Sequence, residues 1–536
     1  VGDSSRYWQK LKELGGWSQG GSKVPATAVD AKGVEKVTGK EVLAVWSEAF
    51  RLLGVDDLDD PDYDRNFAEK VEEEVKEMEK KRDEDEAKEE EKKKDIEESV
   101  RRFTEAVEAE VKKMERKEGE GGEEDEERKI REEEIEDDEE DELRERRNLN
   151  RCIDQKEVTD AIDSLKNQKA AGQDGIIGEI LKKGGDVMKK AVWKMCCENW
   201  RAEEVPREWM QGMIFPLYKE GDDRDPLNYR GITLLSIVGK VYNAVLGVRL
   251  MKFAERQGGI VEEQAGFRPG RGTVDQLFVL TEVLKARDSK PTYAGFIDVK
   301  KAYDTVWRQG LWKRLWDEGV RGKMWRVVKG MYSTVQSSVL IGEEKTEWFE
   351  LYTGVRQGCV MSPILFSLFI NGLAREIKER GKGVPVGDRR LKLLLYADDI
   401  VLLAETEEDL QAMLDVVTEY SRKWRFRVNP KQGKSEVMVF GRRAKEKKAR
   451  TWMLGGEQIE ETARYKYLGM DLGKGIQFKA LKDRLWKNAR KRMMIVWAMG
   501  MRSGELPVQD CCSVWKALVR PALEYGAEVW GAVQWE

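Results

Sequence analysis

Three aspartates stand where a chain rarely leaves charge without a use. Residues 292–298 contain Tyr293, Ala294, Phe296 and Ile297, a strand-forming run that ends in the carboxylate of Asp298. Much later, the apolar runs 391–395 and 400–404 are separated by Tyr396, Ala397, Asp398 and Asp399. That spacing predicts two strands joined by a tight acidic turn. Adjacent carboxylates between such strands are costly if buried, unless they are paired or metal-bound. Aspartate is also a common turn residue, so a plain surface hairpin is the competing reading. As a buried set, Asp298 and Asp398 together could hold two Mg²⁺ ions, which stabilise the attacking and leaving oxygens of an in-line phosphoryl displacement. Magnesium needs carboxylates and substrate phosphate rather than imidazole. The chain has 536 residues and no histidine. Ser-His-Asp and Cys-His nucleophiles, HExxH zinc hydrolysis and Cys2His2 fingers are therefore excluded.

The elements that must position these acids follow from pattern. Residues 156–166, 187–200, 232–252, 273–287 and 481–499 read as helices, 211–218 as a strand, and Asp304 as the start of a helix. Strand and helix then alternate to about residue 470, an α+β or α/β texture. Charge divides the chain: residues 71–150 hold 37 acidic and 20 basic side chains, a net of −17, whereas 151–536 carry +14. The expected organisation is a partly helical segment over 1–70 and an acidic linker over 71–150. Within that linker, 72–120 reads as a long charged helix or loose coiled coil and 119–147 as disordered. Six cysteines without CxxC spacing fit a reducing compartment and no zinc site. No run approaches the length of a membrane span. The start at Val1 suggests a fragment or processed product, with no targeting address.

A series of motifs gives these acids a context. Phe296–Ile297–Asp298–Val299–Lys300–Lys301–Ala302–Tyr303–Asp304, Gly354–Val355–Arg356–Gln357–Gly358 with Ser362–Pro363, and Tyr396–Ala397–Asp398–Asp399 occur in order. Around them lie Lys169–Ala170–Ala171–Gly172–Gln173–Asp174–Gly175–Ile176, Asn228–Tyr229–Arg230–Gly231–Ile232, Gln264–Ala265–Gly266–Phe267–Arg268, Asn429 with Lys434–Ser435, Tyr467–Leu468–Gly469, and 521–530. Residues 152–536 thereby resemble a reverse transcriptase of the non-LTR (LINE-like) retrotransposon family, with glycine at 231 where the family usually has proline.

The resemblance implies a right-hand polymerase fold of α+β class. Fingers and palm would occupy 151–475, with an antiparallel palm sheet, and a helical thumb 476–536. It implies RNA-directed DNA synthesis with Asp298, Asp398 and Asp399 as catalytic metal ligands for two Mg²⁺ ions, Mn²⁺ being a substitute. Tyr303 would pack under the incoming sugar and reject a 2′-hydroxyl, and Asp304 would brace the helix start. Arg230, Lys219 and Lys434 are candidates for the triphosphate, and Gln357 and Gly358 for the space around the nucleotide. Tyr396, Arg356, Leu468 and Gly469 are candidates for primer and template. Lys482, Lys487 and Arg490 of the basic helix are candidates for duplex backbone. The implied partners are template RNA, a DNA primer or nicked target DNA, and deoxynucleoside triphosphates, with nuclear action and no membrane. A group II intron-type reverse transcriptase, or a retroelement relic that binds nucleic acid without catalysis, are the alternatives.

Overall fold

The computed structural model describes residues 25, 27–56, 60–80, 144–342, 344–441, 451–473, 478–498 and 507–531. The expectations for 81–143 fall outside these residues. Helix α1 (Gly39–Leu53) begins at the Thr38 cap and buries Val42, Trp46 and Phe50, one residue per turn. Helix α2 (Arg65–Lys80) buries Ala68, Val71 and Val75 in the main core. The acidic segment therefore does not start as a solvated linker at residue 71, because Val71 and Val75 need the apolar surface they cover.

Strands β1 (Gln211–Tyr218) and β2 (Tyr229–Leu234) form an antiparallel hairpin. Residues 229–234 are thus a strand rather than the first turn of the next helix. The β-branched pair Ile232–Thr233 favours that, and Ser236 caps helix α3 (Ile237–Arg256) only afterwards. Gly231 fits a specific neighbour, since a Cβ there would lie 2.6 Å from the Phe50 ring of α1. Helix α4 (Thr273–Ala286) precedes strand β3 (Thr292–Ile297), then helix α5 (Arg308–Asp317) and strand β4 (Gln336–Ile341). β4 runs parallel to β1. Helix α6 (Ser362–Arg380), hairpin β5 (Leu393–Tyr396) and β6 (Asp399–Ala404), helix α7 (Glu407–Lys423) and strand β7 (Glu436–Phe440) complete the centre. Strands β8 (Trp452–Leu454) and β9 (Glu457–Glu461), the hairpin β10 (Arg464–Tyr467) and β11 (Met470–Gly473), and helix α8 (Lys479–Val496) follow.

The central six-stranded sheet has the order β5-β6-β3-β7-β9-β8. Its inner pairs are antiparallel, as expected, but β7 and β9 run parallel, so the sheet is mixed. Both faces are covered. Tyr293, Ile297, Ile400 and Leu402 join the core formed with α6 and α7, while Phe296, Val401 and Leu403 pack with α4, β10–β11 and α8. Burial on two faces explains why β3 is an unbroken apolar run rather than an alternating one. The acids lie at the end of this sheet, where side chains leave the core.

Candidate active site

Register places the acids. Ile297 of β3 pairs with Ile400 of β6, so Asp298 and Asp399 emerge next to one another at the same end of the sheet. Tyr396 pairs with Asp399, leaving Ala397 and Asp398 as the two-residue tip of the hairpin. All three aspartates are partly buried. Burial pushes the Asp398 carboxyl above its ordinary value, and the Asp298 charge adds to this against the pull of Arg230 and Lys219. Burial, then Asp398 and Asp298, push Asp399 up to about 7. The surface-turn reading is thereby set aside.

Asp298 and the hairpin tip each have a holder. The Asp298 amide donates to Ser435 Oγ at 3.0 Å. Asn429 donates its amide to the Asp298 carbonyl at 2.9 Å and its side-chain Nδ2 to Asp298 Oδ2 at 3.0 Å. Ser435 is fully buried between β7 and β3, so its hydroxyl is committed to this backbone. On the hairpin side, the segment 263–265 pairs with Leu395, and Gln264 reaches the tip. The motifs carrying these residues are visible in the sequence, but their bracing roles are not.

The raised carboxyls carry a stability signature in metal-free protein. The folded state keeps a proton on Asp399 between its ordinary value near 3.8 and about 7, whereas the unfolded chain has lost it. The unfolded state binds fewer protons in that window, so stability falls as pH rises through it. Asp399→Asn should remove this cost and stabilise the metal-free protein at pH 8 by about 2 kcal/mol. Thermal melts in chelator at pH 4.5 and pH 8 check this. Equal gains at both pH values would refute the electrostatic cause.

Cations rim the acids. Lys219 and Arg230, at the two sides of the β1–β2 loop, are exposed and close enough to lower the carboxyl pKa of Asp398. Lys434 pairs with Glu220 at 2.9 Å and lies in the field of Asp298. A cation absent from the expected set joins them: Lys301 donates to the carbonyls of Leu227 at 3.0 Å and Tyr229 at 3.4 Å. It ties the turn after β3 to the loop that carries Lys219 and Arg230. Lys301→Met should therefore raise the KM for nucleotide about tenfold while leaving the melting temperature within a few degrees, since about 1.4 kcal/mol of positioning is lost. A nucleotide titration at saturating duplex checks it, and an unchanged KM would remove the tie.

Tyr303 stacks on Phe366 with ring centroids 5.2 Å apart and planes 13° from parallel. Burial and the neighbouring Asp398 charge raise its phenol pKa. Asp304 does not brace a helix start, because α5 begins only at Arg308 with Trp307 before it. Instead Asp304 accepts the Gln357 side-chain amide on both oxygens, at 3.2 and 3.1 Å. Burial lifts its carboxyl to about 6, against the opposing pull of Lys301, Gln357 and Arg230. Gln357 is thereby held at the edge of the site, and its carbonyl accepts the Thr233 amide at 2.7 Å. Gly358, at φ 109°, lies where a Cβ would come within 2.6 Å of the Thr233 carbonyl oxygen.

Arg356 is a correction. It is buried, donates to the Trp209 carbonyl at 2.6 Å and lies over the Tyr332 ring at 5.4 Å. No nucleic-acid backbone reaches a guanidinium enclosed in that way. Tyr396 is half-buried at the end of β5. Leu468 and Gly469 form the β10–β11 turn at φ 43° and 79°. Tyr525 holds the Leu468 carbonyl and Arg484 holds that of Gly469. On α8, Leu481, Leu485 and Ala489 are buried, while Lys487 and Arg490 are exposed and Lys482 is half-buried. Trp486 faces solvent at 63% exposure.

Among the described residues no group of three or more Asp, Glu or Cys side chains is gathered tightly enough to hold a metal ion by itself. The donor set still suits Mg²⁺, which commonly takes one or two carboxylates and completes its shell with water and substrate phosphate.

Comparison with known proteins shows what part of this chain is similar to. Residues 218–472 match the family model described as reverse transcriptase (RNA-dependent DNA polymerase). That stretch is similar to a reverse transcriptase domain. The relatives of this domain are non-LTR retrotransposon proteins. A probable RNA-directed DNA polymerase from transposon X-element of Drosophila melanogaster is 26% identical over 70% of this chain and 41% of its own length. One from transposon BS of the same species is 27% identical over 70% and 42%. The RNA-directed DNA polymerase from mobile element jockey of Drosophila funebris is 26% identical over 70% and 41%. The chain thus spans about two-fifths of the length of these curated relatives. Apo telomerase from Candida tropicalis, truncated from its C-terminal domain, overlaps 54% of this chain and 59% of its own at 14% identity and a TM-score of 0.35. No described helix of the chain is long and apolar enough to cross a membrane.

Proposed function

We propose that this chain copies RNA into DNA, joining deoxynucleotides to a primer 3′-hydroxyl. The observation that carries the reading is the convergence of Asp298, Asp398 and Asp399 at one end of the central sheet, ringed by Lys219, Arg230 and Lys434. In this reading the central sheet is the palm, β1–β2 and the helices before them belong to the fingers, and α8 opens the thumb. Asp298, Asp398 and Asp399 would hold Mg²⁺ or Mn²⁺, which when bound neutralises charge developing on the transferred phosphoryl group. The chain's own residues do the rest. Lys219, Arg230 and Lys434 attract and orient the triphosphate. Tyr303 forms the wall beneath the sugar, Gln357 and Gly358 border the nucleotide, and Tyr396 meets the primer end. Lys482, Lys487 and Arg490 follow duplex phosphates in a salt-sensitive way. Nuclear action on nicked target DNA belongs to the same reading.

The test is extension of oligo(dT) annealed to poly(rA), with dTTP and Mg²⁺. Extension by the natural sequence supports the reading. Folded protein that binds the duplex but never extends it would support a non-catalytic nucleic-acid-binding role instead.

A further inference from the structure

The tip that presents Asp398 and Asp399 is strained. Ala397 has a side chain yet holds φ at 58°, in the left-handed region that favours glycine. It is also buried, so its amide needs a partner inside the protein. Gln264 supplies it. This glutamine is 1% exposed, and its Oε1 accepts two amides, from Ala397 at 2.9 Å and from Gly266 at 2.8 Å. Its Nε2 faces the Ala397 carbonyl at 3.5 Å. One side chain therefore spans both ends of the Ala397 residue.

The support behind Gln264 is equally close. The Ala265 amide donates to the Leu395 carbonyl at 2.9 Å, and the Leu395 amide donates to Glu263 at 3.0 Å. A Cβ on Gly266 would lie 2.3 Å from the Ala397 nitrogen, backbone against backbone. Arg268 donates to the Gln264 carbonyl at 3.1 Å and pairs with Glu255 at 2.6 Å. Gln276 donates to the carbonyls of Glu263 and Leu395, at 3.0 and 3.2 Å.

We propose that Gln264 is a positioning residue, which fixes the strained Ala397 tip so that Asp398 and Asp399 leave it in productive directions. The role rests on the polymerase reading. Gln264 is enclosed and touches no substrate, so its effect passes through the backbone of the hairpin. Such an effect appears in turnover rather than in binding, because displacing reacting groups by about 1 Å costs on the order of 100-fold.

The experiment compares Gln264→Leu, Gln264→Asn and Gln264→Glu with the natural sequence in full-length protein. Steady-state extension of oligo(dT) on poly(rA), duplex binding and thermal melts are measured for each. Leucine keeps the bulk but accepts neither amide, and asparagine is too short to span both. Each is expected to lower kcat by about 10- to 100-fold, with the KM for dTTP and the duplex Kd within about twofold of natural. A carboxyl at 264 offers an oxygen to both amides in either ionisation state, so the Glu variant should recover most of the turnover. Normal kcat in both the Leu and Asn variants, beside an active natural protein, overturns the positioning role. So does a kcat loss that tracks loss of duplex binding and melting temperature without rescue by Glu. If Leu fails to fold, the Asn and Glu pair decides alone. A natural protein that binds duplex but extends nothing overturns the polymerase reading itself, and the positioning role falls with it.

Discussion

An Asp398→Ala protein is expected to fold and bind an RNA–DNA duplex, yet to extend its primer at least about 10³-fold more slowly. The loss corresponds to roughly 4 kcal/mol of stabilisation of the transferring phosphoryl group, the scale on which a bound cation acts. Folding survives because of where the carboxylate lies. Asp398 is a turn residue at the hairpin tip, held away from its charged state by burial and by Asp298. No hydrogen bond of β5 or β6 depends on its side chain. Its removal relieves a like-charge contact and leaves Ile400, Val401, Leu402 and Leu403 packed as before. Parallel assays of dTMP incorporation and duplex binding separate the two effects. Extension within tenfold of the natural rate would remove Asp398 from the reaction.

The second large effect concerns the sugar. Tyr303→Val should increase use of rUTP relative to dTTP by about 10- to 100-fold, the range in which a pocket wall discriminates a single hydroxyl. The phenol ring is well suited to be that wall, because stacking on Phe366 fixes its plane and it lies beside Asp398. Its hydroxyl is buried without a hydrogen-bond partner among the described residues. Tyr303→Phe should therefore keep the discrimination, since the ring and not the hydroxyl excludes the ribose. The Val variant should also lose about 1 kcal/mol of aromatic packing. Competition between rUTP and dTTP on the same primer reads the result. Selectivity unchanged in the Val variant would place the sugar elsewhere.

Much of the site was legible before any fold. The strand of 292–297 and the hairpin around Ala397 follow from apolar runs that end in acids. The basic helix over 479–496 was equally visible, with Leu481 and Leu485 inward. Other readings failed for local reasons. Asp304 looked like a helix start because aspartate favours that place, but the intervening turn carries the chain on to Trp307 first. Arg356, a candidate for primer and template, is revealed as an enclosed cation only by its neighbours Trp209 and Tyr332.

The sequence by itself determined which chemistry this protein could support. Without histidine, its chemistry was left to carboxylates, lysines, tyrosines or metals held by oxygen, and the ordered motifs resemble those of one family. Tertiary structure alone decided how the acids are held. Gln264 lies far along the chain from Ala397, as Asn429 and Ser435 lie from Asp298, and no periodicity links such pairs. Lys301 likewise meets Leu227 and Tyr229 only because the β1–β2 loop folds over the end of the central sheet. Local pattern sets which elements form, because backbone geometry is local. Burial, the raised carboxyls and the hydrogen bonds that fix their backbone are properties of neighbours brought together by packing.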